Sequence, residues 1–583
     1  VGTENDARAV LAFENMIPAD AYIWSKYRDD SVLQQRFIEL TENQFSKELN
    51  TFGITGNDVV IKNTTLLKDA KIGDSAYIKG AFKLKNITIL STDEEPSQIG
   101  EGVELVNGIM NPASKAFYQA VAVRFVIGRN CQLKYGARLL NSILGDNSTV
   151  SCCEILNNLI FPFHEQHHNS SFLIASTVMG QSNVASAATI GSNHNSRSPD
   201  GEMVAGRGFW PGLCSDFKYD SFFASFVLVS KGSYQNELNI TYPFSLVATG
   251  GDGKAIHVIP AYWFIYNMFA IVRNKYKFSA RDKRVVKLQH IETDPLAPDS
   301  IQEVEAAIKR IIELTERYLK LPAESLEQMT IENPRPEYLF EMRQKAISAK
   351  SGEESRQVAK DYLHQNPDAK YLLLDDRCQR KYGAIIEKPA QAYREYRRIM
   401  KYFAVECLMQ WGLERGSEEL EADDIRSIKQ VPLYTGWLNA GGQVIPSSKV
   451  FELFSLIKIG RIKNWTQVHA FYDDCQASYT DYKARYAIYL LEQLYSRPSE
   501  AFDREVYADI TNDVAYVSMN MLESSISSRE KDYTDFFRSI TFRNRRERDT
   551  VLGSLEDNSF LKHLRHSTDE FNSVLEKLFR KLR

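Results

Sequence analysis

Four of the ten histidines, His164, His167, His168 and His194, fall within 31 residues. Neutral imidazole titrates near working pH, so a loop histidine can take a proton from a hydroxyl or an amine. The segment after His194, Asn195–Gly212, is rich in polar and turn residues and carries Arg197, Arg207 and Trp210. It leads into Cys214, Asp216, Lys218 and Asp220. A guanidinium grips an anion bidentately, and an indole covers the apolar face of a sugar. Ser170, Ser171, Ser192 and Asn193 offer hydroxyl and amide groups that steady a developing oxyanion. The set describes a transfer reaction on a small polar or sugar-like substrate. His168 and His194 are the general-base candidates; the Ser, Asn, Arg and Trp residues are the substrate-binding candidates. Three imidazoles plus a water would also form a catalytic zinc set. His-x-x-His-His has no tight metal-ligand spacing, so no residue is assigned to a metal and the cofactor is unknown.

These residues interrupt a repeat. Branched apolar residues recur six apart at Val60, Leu66, Ile72, Ile78, Leu84 and Leu90, and the fourth residue after each is small in most cases. The period returns at Ile99 and Leu105 and at Ile127, Leu133 and Leu139. After a one-residue slip it continues at Leu144, Val150 and Leu156, and again at Phe172, Val178, Val184 and Ile190. Neither a helix nor a simple strand has this period. A triangular solenoid does: each six-residue unit makes a strand and a corner, and three make an 18-residue coil. On that reading Val60 stacks under Ile78, Leu66 under Leu84 and Ile72 under Leu90, and stability comes from stacked neighbours. The insertion at His164–His168 enters one end of a coil face and His194 sits at the other. Five or six extended residues separate them by roughly 15–20 Å, so they meet only if the loops fold over or a neighbouring subunit brings them together.

The repeat resembles that of the hexapeptide-repeat, left-handed β-helix proteins, a group dominated by acyltransferases. Through HNSSFLIA (His168–Ala175), GSNHNSR (Gly191–Arg197) and GWLNAGGQVIP (Gly436–Pro446), the chain is more closely similar to an uncharacterised bacterial family, catalogued as a domain of unknown function. Some of its members carry a UDP-N-acetylglucosamine pyrophosphorylase label. The first resemblance implies a loop histidine as base and trimeric packing with sites between subunits. A site between subunits like that of γ-carbonic anhydrase makes a metal-dependent hydratase or lyase one alternative; a non-catalytic scaffold or carbohydrate-binding solenoid is another. No glycine-rich nucleotide-binding segment of the kind a pyrophosphorylase needs is present, nor GxSxG, GxGxxG, a P-loop or an EF-hand loop.

From about residue 296 the spacing becomes helical. Ser300-Ile-Gln-Glu303 has the form of a capping box, followed by Val304, Ile308, Ile311 and Tyr318. The expected architecture is α+β and multidomain. Residues 1–56 form an N-terminal helical cap, 57–260 a left-handed parallel β-helix with loop insertions, 261–295 a connector and 296–583 an all-α domain. Gly441 and Gly442 let backbone approach closely, in a helix-to-helix loop or against a ligand or the solenoid. The composition of the 583 residues is globular, with 43% hydrophobic and 25% charged residues and a net charge of −4. It gives no reason for a nucleic acid or anionic membrane partner. The longest apolar run, Ala261–Val272, is half a membrane span and contains Asn267. Seven cysteines, two of them adjacent, point to reduced thiols and a cytoplasmic location. A small-molecule substrate and a homo-oligomer, a trimer by the resemblance, complete the expectations.

Overall fold

The computed structural model describes residues 1–46, 52–192, 197, 201–251 and 253–582. From Ile54 to Thr249 the chain winds as a parallel β-solenoid with three faces. Eleven strands, from Ile54–Thr55 to Ser233–Tyr234, stack along the first face. The second face begins in the latter halves of the seven-residue strands and continues through Leu159–Ile160, Ser176–Val178, Met203–Ala205, Phe222–Phe223 and Asn239–Ile240. The third runs from Val60–Lys62 to Glu165–Gln166 and resumes at Trp210–Pro211. Ile72, Ile78, Leu84, Val178, Val184 and Ile190 are all buried, as the repeat requires.

The coil length differs from the expected 18. Ile61 pairs with Ile78, Leu67 with Leu84 and Ile72 with Ile89, a 17-residue advance that replaces the three 18-residue stackings anticipated from the sequence. The buried column explains this. It runs through Ile72, Ile78, Leu84 and Ile89, then through Ile99, Leu105, Met110, Ala116, Ala122, Ile127, Leu133, Leu139 and Leu144, in steps of six, six and five. Each five-residue step contains one left-handed residue: Asn86, Asn107, Arg124 or Asn141, with φ of 48° to 56°. Asparagine tolerates that conformation because its amide bonds locally. Asn86 Nδ2 donates to Asn107 Oδ1 at 3.1 Å, and Asn130 Nδ2 to Asn147 Oδ1 at 2.7 Å, one coil apart.

Two helices, Pro18–Lys26 and Ser31–Gln44, precede the solenoid. Their apolar faces cover its flank, where Ile23, Leu33 and Phe37 join Ile109, Val126, Ile143, Leu159 and Phe161 in one core with Trp465. At the other end, Ile256–Ile259 pairs antiparallel with Leu246–Thr249, and Ala384–Glu387 and Lys370–Asp375 extend that sheet into the C-terminal half. That half is mainly helical, around Pro389–Leu413, which packs on Pro298–Leu319, Tyr479–Tyr495 and Arg504–Thr534. The helix at 298 starts earlier than the sequence suggests. Ser300 lies in its first turn, donating to the Pro295 and Ala297 carbonyls, and Glu303 lies one turn further in, facing the solenoid.

The segment expected to join two helices around Gly441 is a hairpin, Trp437–Ala440 with Gln443–Pro446. Gly441, at φ 68°, passes so close to the first helix that a Cβ would lie 2.1 Å from the Ala19 nitrogen. The Gly442 carbonyl accepts from Glu292 N at 2.8 Å, and Asn439 Nδ2 donates to the Met179 carbonyl at 3.4 Å. The hairpin thus stitches the N-terminal helix, a solenoid corner and the connector together. Ala261–Val272 breaks at Asn267 into the helices Tyr262–Tyr266 and Met268–Arg281, and no described helix is long and apolar enough to cross a membrane.

Candidate functional site

The histidine cluster is split by the solenoid wall. His164 points into the core, its Nδ1 2.8 Å from Ser182 Oγ and its Nε2 3.1 Å from Gln166 Oε1. Burial pushes its pKa down to about 4, so it is a neutral structural group. His167 and His168 are exposed, with ring centroids 4.5 Å apart. Ser171 Oγ donates to the His168 carbonyl at 3.0 Å and accepts from Gln166 Nε2, while Ser170 is exposed at a left-handed corner. Ser192 closes the strand Thr189–Ser192; Asn193 and His194 lie outside the described residues, and Arg197 is exposed. Among the described residues no three His, Cys, Asp or Glu side chains are grouped to hold a metal ion.

Arg207 and Trp210 have partners from elsewhere in the chain. Arg207 is buried, with Nε and Nη2 each 2.7 Å from the Asp299 carboxylate and Nη1 2.8 Å from the Asp294 carbonyl. Its guanidinium lies 5.5 Å from the centre of the Phe226 ring. Burial disfavours its charge, but Asp299 more than offsets this and holds it above its ordinary value. Trp210 packs on Trp263, 6.1 Å between centroids. Both residues belong to a polar seam between solenoid and helices. One turn after Asp299, Glu303 Oε2 accepts from Ser225 N at 2.8 Å, and burial pushes this carboxyl up to about 8. Tyr479 donates to Glu292 at 2.6 Å. Arg284 Nη1 donates to Asp146 at 2.7 Å and Nε to Asp282 at 2.8 Å, fixing the connector to the solenoid corners.

Beside this seam lies a cleft that the sequence reading missed. It encloses about 490 Å³ between the helix Met268–Arg281, the connector and three helices of the C-terminal half. Ile271, Tyr276, Tyr402, Met521, Phe560 and Phe571 wall it. At its polar end Lys275 Nζ binds both Asp294 and Glu406, the latter at 3.0 Å. A second cavity of about 250 Å³ shares Lys275, Asp294, Leu296 and Glu406 and adds Glu292, Cys407, Gln410 and Lys483. Apolar walls with a few convergent charged groups are the usual build of a small-molecule site.

The electrostatics of the polar end follow from its walls. Desolvation works against the Lys275 ammonium, and the Asp294 and Glu406 charges overcome it, holding its pKa well above the ordinary value. Burial raises Glu406 against the pull of Lys275, and the Asp294 charge adds to the rise. A carboxylate whose pKa is raised is a better base than a free one. An ammonium that stays charged beside it can balance an oxyanion. One sequence signal is available: Glu406 is the lone charged residue in the apolar run Tyr402–Met409. Its partners, Lys275 and Asp294, lie 131 and 112 residues upstream, beyond any local pattern.

Comparison with known proteins places the whole chain. A family model described as a domain of unknown function (DUF4954) matches residues 1–315, more than half the length. Another, described as a domain of unknown function (DUF6819), matches residues 417–582. An uncharacterized protein of Treponema pallidum (strain Nichols) is 38% identical over 581 residues, covering 99% of this chain and 74% of that protein. The solenoid with its connector, and the helical half that closes the cleft over it, thus recur together in a relative, and the chain belongs to the DUF4954 family.

Proposed function

We propose that the protein acts on a small polar, sugar-like molecule bound in the cleft at Lys275, with Glu406 as base for transfer of a group to one of its hydroxyls. The observation that carries this is the Asp294–Lys275–Glu406 cluster standing where two cavities meet. Tyr276, Phe560 and Phe571 line an apolar side against which the C–H face of a sugar can pack, and the charged end offers donors and acceptors to its hydroxyls. Glu406 takes the hydroxyl proton. The freed oxygen bonds to the electrophilic atom of an activated acyl or glycosyl donor, whose leaving group departs with the electron pair. Lys275 compensates the negative charge passing through the site. His168, exposed on a solenoid corner, is the second proposal for the base. A cytoplasmic homo-oligomer, a trimer on the β-helix resemblance, remains part of the proposal, and native light scattering tests it.

The test is a thermal-shift and turnover screen with monosaccharides, sugar phosphates and nucleotide sugars, with and without acyl donors. A ligand should raise the melting temperature of the wild type and not of Lys275→Met. Glu406→Gln should still bind and should lose about 10²-fold or more in turnover. Loss in His168→Ala but not in Glu406→Gln would move the base to the solenoid. Binding without turnover in the wild type would favour the carbohydrate-binding scaffold, and no shift with any ligand would reject the cleft as the site.

A further inference from the structure

A second groove lies on the solenoid itself, along the corner formed by Asn63, Gly80, Gly102, Gln119 and Gly136. All five residues are left-handed, with φ between 50° and 73°, and stand on successive coils. At the 4.7–4.9 Å spacing of neighbouring strands, this corner is about 19 Å long. Its volume is about 810 Å³. The glycines keep it open. A Cβ on Gly102 would lie 2.7 Å from Gln119 Cγ, whereas one on Gly136 would meet nothing within 4 Å.

The rim carries exposed aromatic rings. Phe82, Tyr118 and Tyr135 are 55%, 51% and 56% exposed. Tyr118 and Tyr135, one coil apart, are parallel to within 6° with centroids 5.0 Å apart. On the next coil the corner residue is Cys152, too short to cover the outer face of Tyr135. The groove is also lined by hydrogen-bonding groups: the Asn63 and Gln119 amides, and Lys79 paired with Glu101 at 3.4 Å. Charged groups are depleted from the centres of protein interfaces, so this mixture does not suit a second protein surface. It suits a ligand with apolar C–H faces and a rim of hydroxyls, repeating along its length as the coils do.

We infer that this corner groove binds an extended pyranose oligosaccharide, with the outer faces of the stacked Tyr118–Tyr135 pair packing on sugars and Lys79, Glu101 and Gln119 bonding hydroxyls. The inference is independent of the cleft: none of its residues lines that cavity. Tyrosine supplies such a platform with little side-chain entropy to lose. The experiment uses the full chain in affinity gels containing hydroxyethyl cellulose or glycol chitin, with titration of cellohexaose and chitohexaose by calorimetry. At least one polymer should retard the wild type. Tyr118→Ala/Tyr135→Ala should weaken the matching oligosaccharide by about tenfold or more with an unchanged melting temperature, and Cys152 should become shielded from thiol reagents when the oligosaccharide is bound. Three results would overturn the inference: neither polymer retards the wild type, the double variant binds as the wild type does, or the double variant changes the mass in light scattering, which would make the tyrosines a contact between copies. Lys275→Met should leave this binding intact, so failure of the cleft and failure of the groove are told apart.

Discussion

Solenoid and seam bury polar groups by opposite rules. Inside the solenoid a polar group meets a neighbour about one coil away: His164 meets Ser182 across 18 residues, and Asn158 accepts from Ser176 N across 18. Most of these groups are uncharged, and the repeat itself delivers their partners. At the seam, charges are buried whole and their partners come from distant chain. Arg207 meets Asp299 across 92 residues, Arg284 meets Asp146 across 138, and Val285 N meets Glu95 across 190. Stability in the first region is a sum over stacked neighbours; in the second it depends on a few pairs, each of which fails if one partner is lost. The cleft proposed as the site belongs to the second kind of place. The cleft with Lys275 and Glu406 lies where the connector crosses between the two regions.

The largest effect should come from charging the solenoid core. Ile78 is fully buried and stacks on Ile61 and Ile99. Ile78→Asp would place a carboxylate with no partner between two apolar layers, costing more than about 4 kcal/mol, the range reserved for buried unpaired charge. Circular dichroism should show loss of β structure, and limited proteolysis should cut the coils around residue 78. A variant that melts like the wild type would mean that the coils are not bound by stacking.

A smaller loss should come from the seam. Arg207→Ala strands the Asp299 carboxylate in a buried site and should cost about 3–5 kcal/mol. Because Arg207 also ties to the connector through Asp294 O, urea unfolding should separate into two transitions, helices first. Replacing both partners, Arg207→Met with Asp299→Leu, should recover most of the loss, since two apolar groups leave nothing unpaired. If the single and double variants lose equally, the pair acts by shape and not by charge.

This difference also decides what the sequence could tell. Ile72, Ile78, Leu84, Val178, Val184 and Ile190 were legible because their period is local and survives in six-residue windows. A strict period points Leu66 and Leu90 inward; the five-residue steps are hidden at Asn86, Asn107, Arg124 and Asn141, whose role is conformational. His164 was placed in a loop although Ser182, 18 residues on, marks a polar column within the core. Arg207 and Trp210 read in the sequence as substrate-binding groups, because nothing nearby in the chain points to Asp299 or Trp263. Glu303 reads as a cap because a capping box is a four-residue pattern, whereas its partner, Ser225 N, lies 78 residues away.

The smallest expected effect tests the step that the strict period missed. Asn141 holds φ 48° in the middle of the strand Arg138–Leu144, where the inward residues are Leu139 and Leu144, five apart. A β-branched residue there must enter the left-handed region with its Cβ against the following carbonyl, at about 1–2 kcal/mol. Asn141 Oδ1 also accepts from Arg124 Nε at 2.5 Å on the preceding coil, and that bond would go as well. Asn141→Val should therefore lower the urea midpoint by a small amount without changing the slope. Asn141→Gly should lose less than Asn141→Val, because glycine keeps the conformation and gives up only the amide. If valine and glycine cost the same, the loss is that of the hydrogen bond, and the five-residue step is held by side-chain pairing between coils rather than by the left-handed turn.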